Sequence, residues 1–117
     1  MSVLFIFASS PHGSARGREG LDALLAMSAF TQDIDVLFMA DGVYQILRGQ
    51  QPAGVLSRDH ARTFGVLELY DITRIYVQES ELVKRKLSPD QLLLASRPLS
   101  DEDCRLMIAR ADAKLVF

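Results

Sequence analysis

The apolar residues of this chain fall in short blocks whose period alternates between strand-like and helix-like. Val3-Leu4-Phe5-Ile6-Phe7-Ala8 is a continuous apolar run rich in β-branched and aromatic residues, the pattern of a buried strand. Pro11, Gly13, Gly17 and Gly20 then interrupt regular structure. From Leu21 the spacing becomes helical: Leu21, Leu24 and Leu25 recur, with Ala23, Met27 and Phe30 beside them. The chain therefore opens as strand, glycine-punctuated loop and helix. That is the usual start of a parallel α/β domain, a class that uses its first loop for function.

The alternation continues. Ile34 to Ala40 reads as a second strand, apolar enough to be covered on both faces. Asp41-Gly42 is a turn signal, followed by a short helical turn from Val43 to Leu47. Residues 48–55 read as loop. Ser57 can cap a helix that carries Ala61, Phe64, Leu67 and Tyr70 on one face. Arg74 to Gln78 is a third strand. Ser80 to Leu87 is a short charged helix with Glu81 and Arg85 spaced for an i,i+4 ion pair, stopped by Ser88-Pro89. Ser88, Pro89 and Gln91 also fit a capping box. Leu92 to Ala95 is nonetheless short and ends near Pro98, so it is assigned to a fourth strand. Ser100 caps a last helix running to about Arg110, and Lys114 to Phe117 is a terminal strand. The expected fold is α/β: one three-layer domain over residues 1–117, with a mainly parallel five-stranded sheet, helices on both faces and right-handed crossovers.

Composition narrows the function classes. A chain of 117 residues suits one domain, and about two-thirds of its unfolded surface can be buried in a core. The net charge of −2 gives no overall field toward nucleic acid or an anionic membrane, so no contact with either is expected. Apolar runs stop far short of the ~20 residues that span a bilayer, and nothing basic precedes Val3 as in a secretory signal. A cytoplasmic protein is expected. The single cysteine makes neither an intrachain disulfide nor a cysteine zinc site, and no metal is expected.

Few residues offer chemistry. The loop from Ser9 to Gly17 could cradle an anion with backbone N–H groups, helped by Arg16 and Arg18. It matches neither a dinucleotide fingerprint nor a Walker A loop, so close packing is the better reading and no cofactor is expected. His12 has no nucleophile placed for it by the sequence, and His60 lies on the polar side of a helix. Lys84-Arg85-Lys86 reads as a solvated basic face. Cys104 shares a helical stripe with Met107, Ile108 and Ala111, where a thiol behaves as a small hydrophobe. Asp101, Glu102 and Asp103 surround it with negative charge, the reverse of what favours a thiolate. It is a weak, disfavoured persulfide candidate, and no catalytic residue is assigned. Val43, Tyr44, Ile46 and Leu47 would form an exposed apolar patch on their short helix. The candidate interface residues are His12, Arg18, Tyr44 and Leu47, with Tyr44 as the preferred anchor.

Three blocks carry a resemblance. They are Pro11-His12-Gly13 with Gly17-Arg18-Glu19-Gly20-Leu21-Asp22-Ala23-Leu24-Leu25-Ala26; Ala40-Asp41-Gly42-Val43-Tyr44-Gln45-Ile46-Leu47 with Gly49-Gln50 and Pro52; and Leu69-Tyr70-Asp71-Ile72. In this order, over nearly the whole chain, they resemble the DsrE/DsrF family. The resemblance implies a structural subunit of a heteromeric sulfur-relay complex that passes sulfur toward 2-thiouridine at the tRNA wobble position. It implies two homologous partner subunits, in a heterohexamer built as a dimer of heterotrimers, with the working cysteine on a partner. Sulfur-accepting members of the family carry their cysteine near the end of the third strand. That stretch here, Ile75 to Ser80, has none, so the thiol chemistry carries over to no position of this chain. Three alternatives stay open: a family subunit serving sulfur oxidation, a small nucleotide- or flavin-binding module, and an enzyme using Cys104 or His12.

Overall fold

The structure, a computed structural model, describes residues 1–10, 15–47, 64–92 and 95–117. Strand β1 (Val3–Phe7) leads to helix α1 (Arg16–Met27), strand β2 (Ile34–Phe38) and a 3-10 helix (Ala40–Ile46). A second 3-10 helix (Phe64–Tyr70) precedes β3 (Ile75–Gln78), α2 (Glu79–Lys84) and a 3-10 turn (Pro89–Gln91). The chain closes with β4 (Arg97–Leu99), α3 (Asp101–Arg110) and β5 (Ala113–Val116). The five strands form one sheet in the order β4-β3-β2-β1-β5, and every pairing is parallel. The α/β class and the five-stranded parallel sheet are as the alternation of periods predicts.

Strand order dictates which face each helix covers. From β1 to β4 each step moves the same way across the sheet, so right-handed crossovers put the intervening helices on one face. The step from β4 to β5 runs back across the whole sheet and places α3 on the other face. The core divides accordingly. On the α1 face, Phe5, Phe7, Leu21, Leu24, Val36, Phe38, Val43 and Ile46 are buried together with residues from β3 and α2. Phe7 stacks on Phe38 at 5.2 Å and on Phe117 at 5.9 Å. Burial of each such side chain is worth about 1.5–3 kcal/mol, so this layer carries most of the stability. On the opposite face, among the described residues, Leu4, Ile6, Leu37 and Cys104 form the buried cluster.

Several elements depart from the sequence reading. Helix α1 begins at Arg16, so Gly17 and Gly20 lie inside it and are buried. A side chain at Gly20 would meet the rings of Phe7 and Phe117 at about 2.6 Å, which makes this a close-packing position and not a breaker. Phe30 lies beyond the end of α1 and is exposed. The fourth strand of the sheet is Arg97–Leu99; of the segment Leu92 to Ala95 assigned to it, residues 93 and 94 lie outside the described residues, and Leu92 forms an isolated antiparallel bridge with Leu47. Pro98 lies within β4, which a sheet tolerates because β4 is an edge strand. Of the helix assigned from Ser57, residues 57–63 lie outside the described residues; its end is 3-10, with Leu67 buried but Tyr70 half exposed. The Ser88/Gln91 capping box forms, yet it starts a single 3-10 turn. The Ser100 hydroxyl caps α3 as expected, accepting from the N–H of Asp103 at 3.1 Å.

Candidate functional site

In a parallel sheet, the carboxyl ends of the strands are where ligands and partners meet the fold. In this chain that end is closed by tight packing. β2 ends at Phe38, and the chain then turns through Ala40, held at φ 49°. A non-glycine residue in this left-handed region carries strain and persists where its surroundings fix it. Here the Ala40 N–H donates to the Gln78 side-chain carbonyl at 3.1 Å. Gly42 follows, packed so closely on β1 that a Cβ would come within 1.7 Å of the Phe7 carbonyl oxygen. Only glycine fits.

Gln78 stands at the end of β3 and ties three elements together. Its carbonyl holds the turn after β2, while its amide nitrogen donates to Asp101 Oδ1 at 3.1 Å, at the start of α3. Ser80 donates to the same carboxylate oxygen at 2.6 Å. These bonds, first from Ser80 and then from Gln78, hold the Asp101 carboxyl below the ordinary carboxylate range. The end of the third strand is in this chain an amide crosslink. An amide is neither a nucleophile nor a base near neutral pH, so Gln78 itself serves this junction by hydrogen bonding.

The 3-10 helix Ala40–Ile46 lies against this junction. Val43 and Ile46 are completely buried, and Tyr44 and Leu47 are half-buried. The expected exposed patch of Val43, Tyr44, Ile46 and Leu47 is therefore not formed: the segment folds inward over the sheet end and closes the core. Tyr44 lies beneath Arg85, whose guanidinium carbon is 4.8 Å from the ring centroid, a cation–π arrangement. Arg85 also bonds Glu81 and Asp41, each at 2.9 Å. The Tyr44 side chain first, then Glu81 and Asp41, strengthen the hold on the guanidinium proton and raise its pKa above the ordinary value. The i,i+4 pair is as the spacing predicts, but Arg85 is mostly buried and clamps α2 to the 3-10 helix instead of lying on a solvated face. Gln45, wholly buried, was not singled out by its sequence context. Its amide donates to the Ser9 carbonyl at 2.8 Å, and a Cβ at Gly17 would come within 2.5 Å of its side chain. Gln45 thus fastens the first loop to the start of α1.

The remaining sequence candidates separate in space. His12 lies outside the described residues, as does His60. Arg18 is exposed in the first turns of α1. Cys104 is buried on the far face of the sheet, with Met107, Ile108 and Ala111 packed around it. Its Sγ approaches the Leu99 carbonyl at 3.9 Å. Burial first, then Asp101 and Asp103, push its thiol above the ordinary range and keep it protonated. Beside α3 runs a groove of about 400 Å³ lined by Asp35, Tyr76, Leu99, Asp103, Leu106 and Met107, among others. Burial raises the Asp35 carboxyl against the pull of Arg74 at 3.0 Å. Among the described residues no cluster of His, Cys, Asp or Glu could hold a metal ion.

Comparison with known proteins bears on the chain as a whole. The model of the DsrE/DsrF-like family matches residues 1–117. The chain belongs to the DsrE/DsrF-like family. It is 45% identical over 115 residues to the "Protein TusC homolog" of Vibrio parahaemolyticus, covering 98% of each chain. It is 47% identical over 116 residues to the Protein TusC of Escherichia coli O8, again covering 98% of each. The TusC of Shigella flexneri matches to the same extent. Among solved structures, the ychN protein from E. coli superposes with a TM-score of 0.79 over 100% of both chains, at 21% identity, which speaks for the fold alone. The resemblance read from the three sequence blocks is thus confirmed at the level of the family and of TusC-like relatives. Among the described residues no helix is long and apolar enough to cross a membrane.

Proposed function

We propose that this chain is a non-catalytic structural subunit of a sulfur-relay complex that supports 2-thiolation of the tRNA wobble uridine. Its partners are TusB-like and TusD-like subunits in a heterohexamer, a dimer of heterotrimers, in the cytoplasm. The full-length likeness to TusC proteins supports membership in such a complex. The single observation that carries the non-catalytic part is the arrangement of thiol and strand end. The chain's one cysteine is buried on the inner face of α3, and the third-strand end is occupied by Gln78 in a hydrogen-bonded junction. A relay needs a thiolate that partners can reach, and this chain offers none among its described residues. His12, Arg18, Tyr44 and Leu47 remain the proposed contact residues, with Tyr44 and Leu47 contributing their half-exposed sides. Ser9, Ser10 and Arg18 follow the carboxyl end of β1, and a partner docked at that end would meet the Gln78 junction.

The test is purification of the tagged chain from its own host followed by native mass spectrometry. The expected species holds this chain with two other DsrE/DsrF-like chains, and loss of the chain lowers 2-thiouridine in bulk tRNA. Recovery of the chain alone, or in a complex whose loss leaves tRNA thiolation unchanged, contradicts the proposal.

A further inference from the structure

The groove beside α3 changes character along its length. Asp35 and Leu37 are alternate residues of β2, so their side chains share a face, the one on which Leu4, Leu37 and Cys104 are buried. Tyr76 packs against that cluster from β3. Asp35 thus stands on the floor of the groove, beside Leu4 near the amino end of the sheet. One of its carboxylate oxygens meets Arg74 Nε at 3.0 Å, and the side chain is only 24% exposed. The second oxygen and the Tyr76 hydroxyl make no hydrogen bond among the described residues. Arg110 ends α3 just before Asp112, whose N–H donates to the Ser2 carbonyl at 3.1 Å, so it lines the groove at the same end as Asp35. Arg110 is exposed and pairs with no carboxylate among the described residues. Toward the first turn of α3 the lining becomes apolar, through Met107, Leu106 and Leu99, before Asp103. Helical rise separates Asp103 from Arg110 by about 10 Å.

We propose that this groove binds a free α-amino acid with an apolar side chain, such as leucine or methionine. The inference goes beyond the proposed function and does not rest on it. A half-engaged carboxylate and an unpaired guanidinium, at one end of an apolar trough, are the complement of an ammonium and a carboxylate borne on one carbon. The α-ammonium donates to Asp35 and to the Tyr76 hydroxyl, and the α-carboxylate accepts from Arg110. The side chain then lies along Met107 and Leu106 toward Leu99. Burial raises the Asp35 carboxyl despite Arg74, so a second cation at its free oxygen favours the ionised form. Neither charge fits alone. An alkylamine leaves Arg110 unpaired, and a fatty acid brings its carboxylate against Asp35. A peptide is excluded as well, because its terminal ammonium and carboxylate sit on different residues. The groove volume of about 400 Å³ suits a ligand of this size.

Calorimetric titration of the full chain with L-leucine reads the binding, with a dissociation constant of about 1 mM or tighter expected. Isoamylamine and isocaproate each carry one of the two charges, and glycine carries both without the side chain. Each is expected to bind about tenfold more weakly than leucine or worse, as is N-acetyl-leucine. This series uses the unaltered chain, so it does not depend on how any variant folds. Arg110→Gln changes an exposed side chain and is expected to weaken leucine binding by about tenfold as well. Arg105→Gln, exposed on α3 but outside the groove lining, is expected to leave it unchanged. In an amide-resolved NMR titration the leucine-induced shifts should centre on Asp35, Tyr76 and Met107. Absence of leucine binding at about ten times the expected constant overturns the proposal. So does leucine binding that Arg110→Gln leaves intact, isoamylamine or isocaproate binding as tightly as leucine, or shifts confined to residues outside the groove.

Discussion

Gln78 and Cys104 occupy opposite situations in this fold. Gln78 stands at the carboxyl end of a central strand, where α/β proteins place reacting groups, and its side chain is committed to Ala40 and Asp101. Cys104 carries the chain's one thiol, and it packs from the inner face of α3 against Leu4, Ile6 and Leu37. The position suited to chemistry holds an unreactive amide, and the reactive atom is placed where burial and two aspartates keep it neutral. The strand end and the thiol are thus held apart: one is a hydrogen-bonded junction and the other a buried side chain on the far face of the sheet.

The comparison can be broken most severely at the backbone that frames Gln78. Gly42→Ala forces a Cβ onto the Phe7 carbonyl, a fixed main-chain atom. A loss of about 3 kcal/mol or more is expected in denaturant unfolding. A near-neutral result would show that the turn after β2 is not held against β1. Gln78→Leu comes next. It leaves the Ala40 N–H without its acceptor and Asp101 without one donor, for an expected loss of about 1–3 kcal/mol. If stability is unchanged, the crosslink is dispensable and its rigidity argument fails.

A smaller, pH-dependent effect belongs to Asp101. Its folded pKa is depressed, so its contribution to stability is present above the ordinary carboxylate pKa and is lost as the pH falls through the folded value. Asp101→Asn should therefore lower stability near neutrality and flatten the acid limb of the stability profile below about pH 4. Thermal melts at several pH values read this. An unaltered acid limb would remove Asp101 from the junction.

Much of the fold was legible because burial on both faces leaves a plain apolar signature. Val3 to Phe7 and Ile34 to Phe38 needed little more than their composition. Ser100 was readable as a cap because a hydroxyl before three acidic residues is a local signal. β4 was not, since it is short and carries Pro98, and an edge position is a property of the sheet that no local pattern announces. Gly17 and Gly20 look like breakers until their neighbours are known: Gln45 against one, Phe7 and Phe117 against the other. The same holds for Val43 and Ile46, apolar residues beside a turn that could face either solvent or core. At the candidate site, Cys104 was placed by its helical stripe, but the roles of Gln78, Gln45 and Asp41 depend on partners distant in sequence.

We propose above that this chain positions its partners without itself carrying sulfur. It is tested most directly by offering the purified chain labelled sulfur from a cysteine desulfurase and its carrier, then mapping the label by digestion and mass spectrometry. No persulfide is expected on Cys104 in the folded chain, with Cys104 becoming thiol-reactive only after unfolding in denaturant. Efficient and reversible labelling of Cys104 in the folded chain would contradict it.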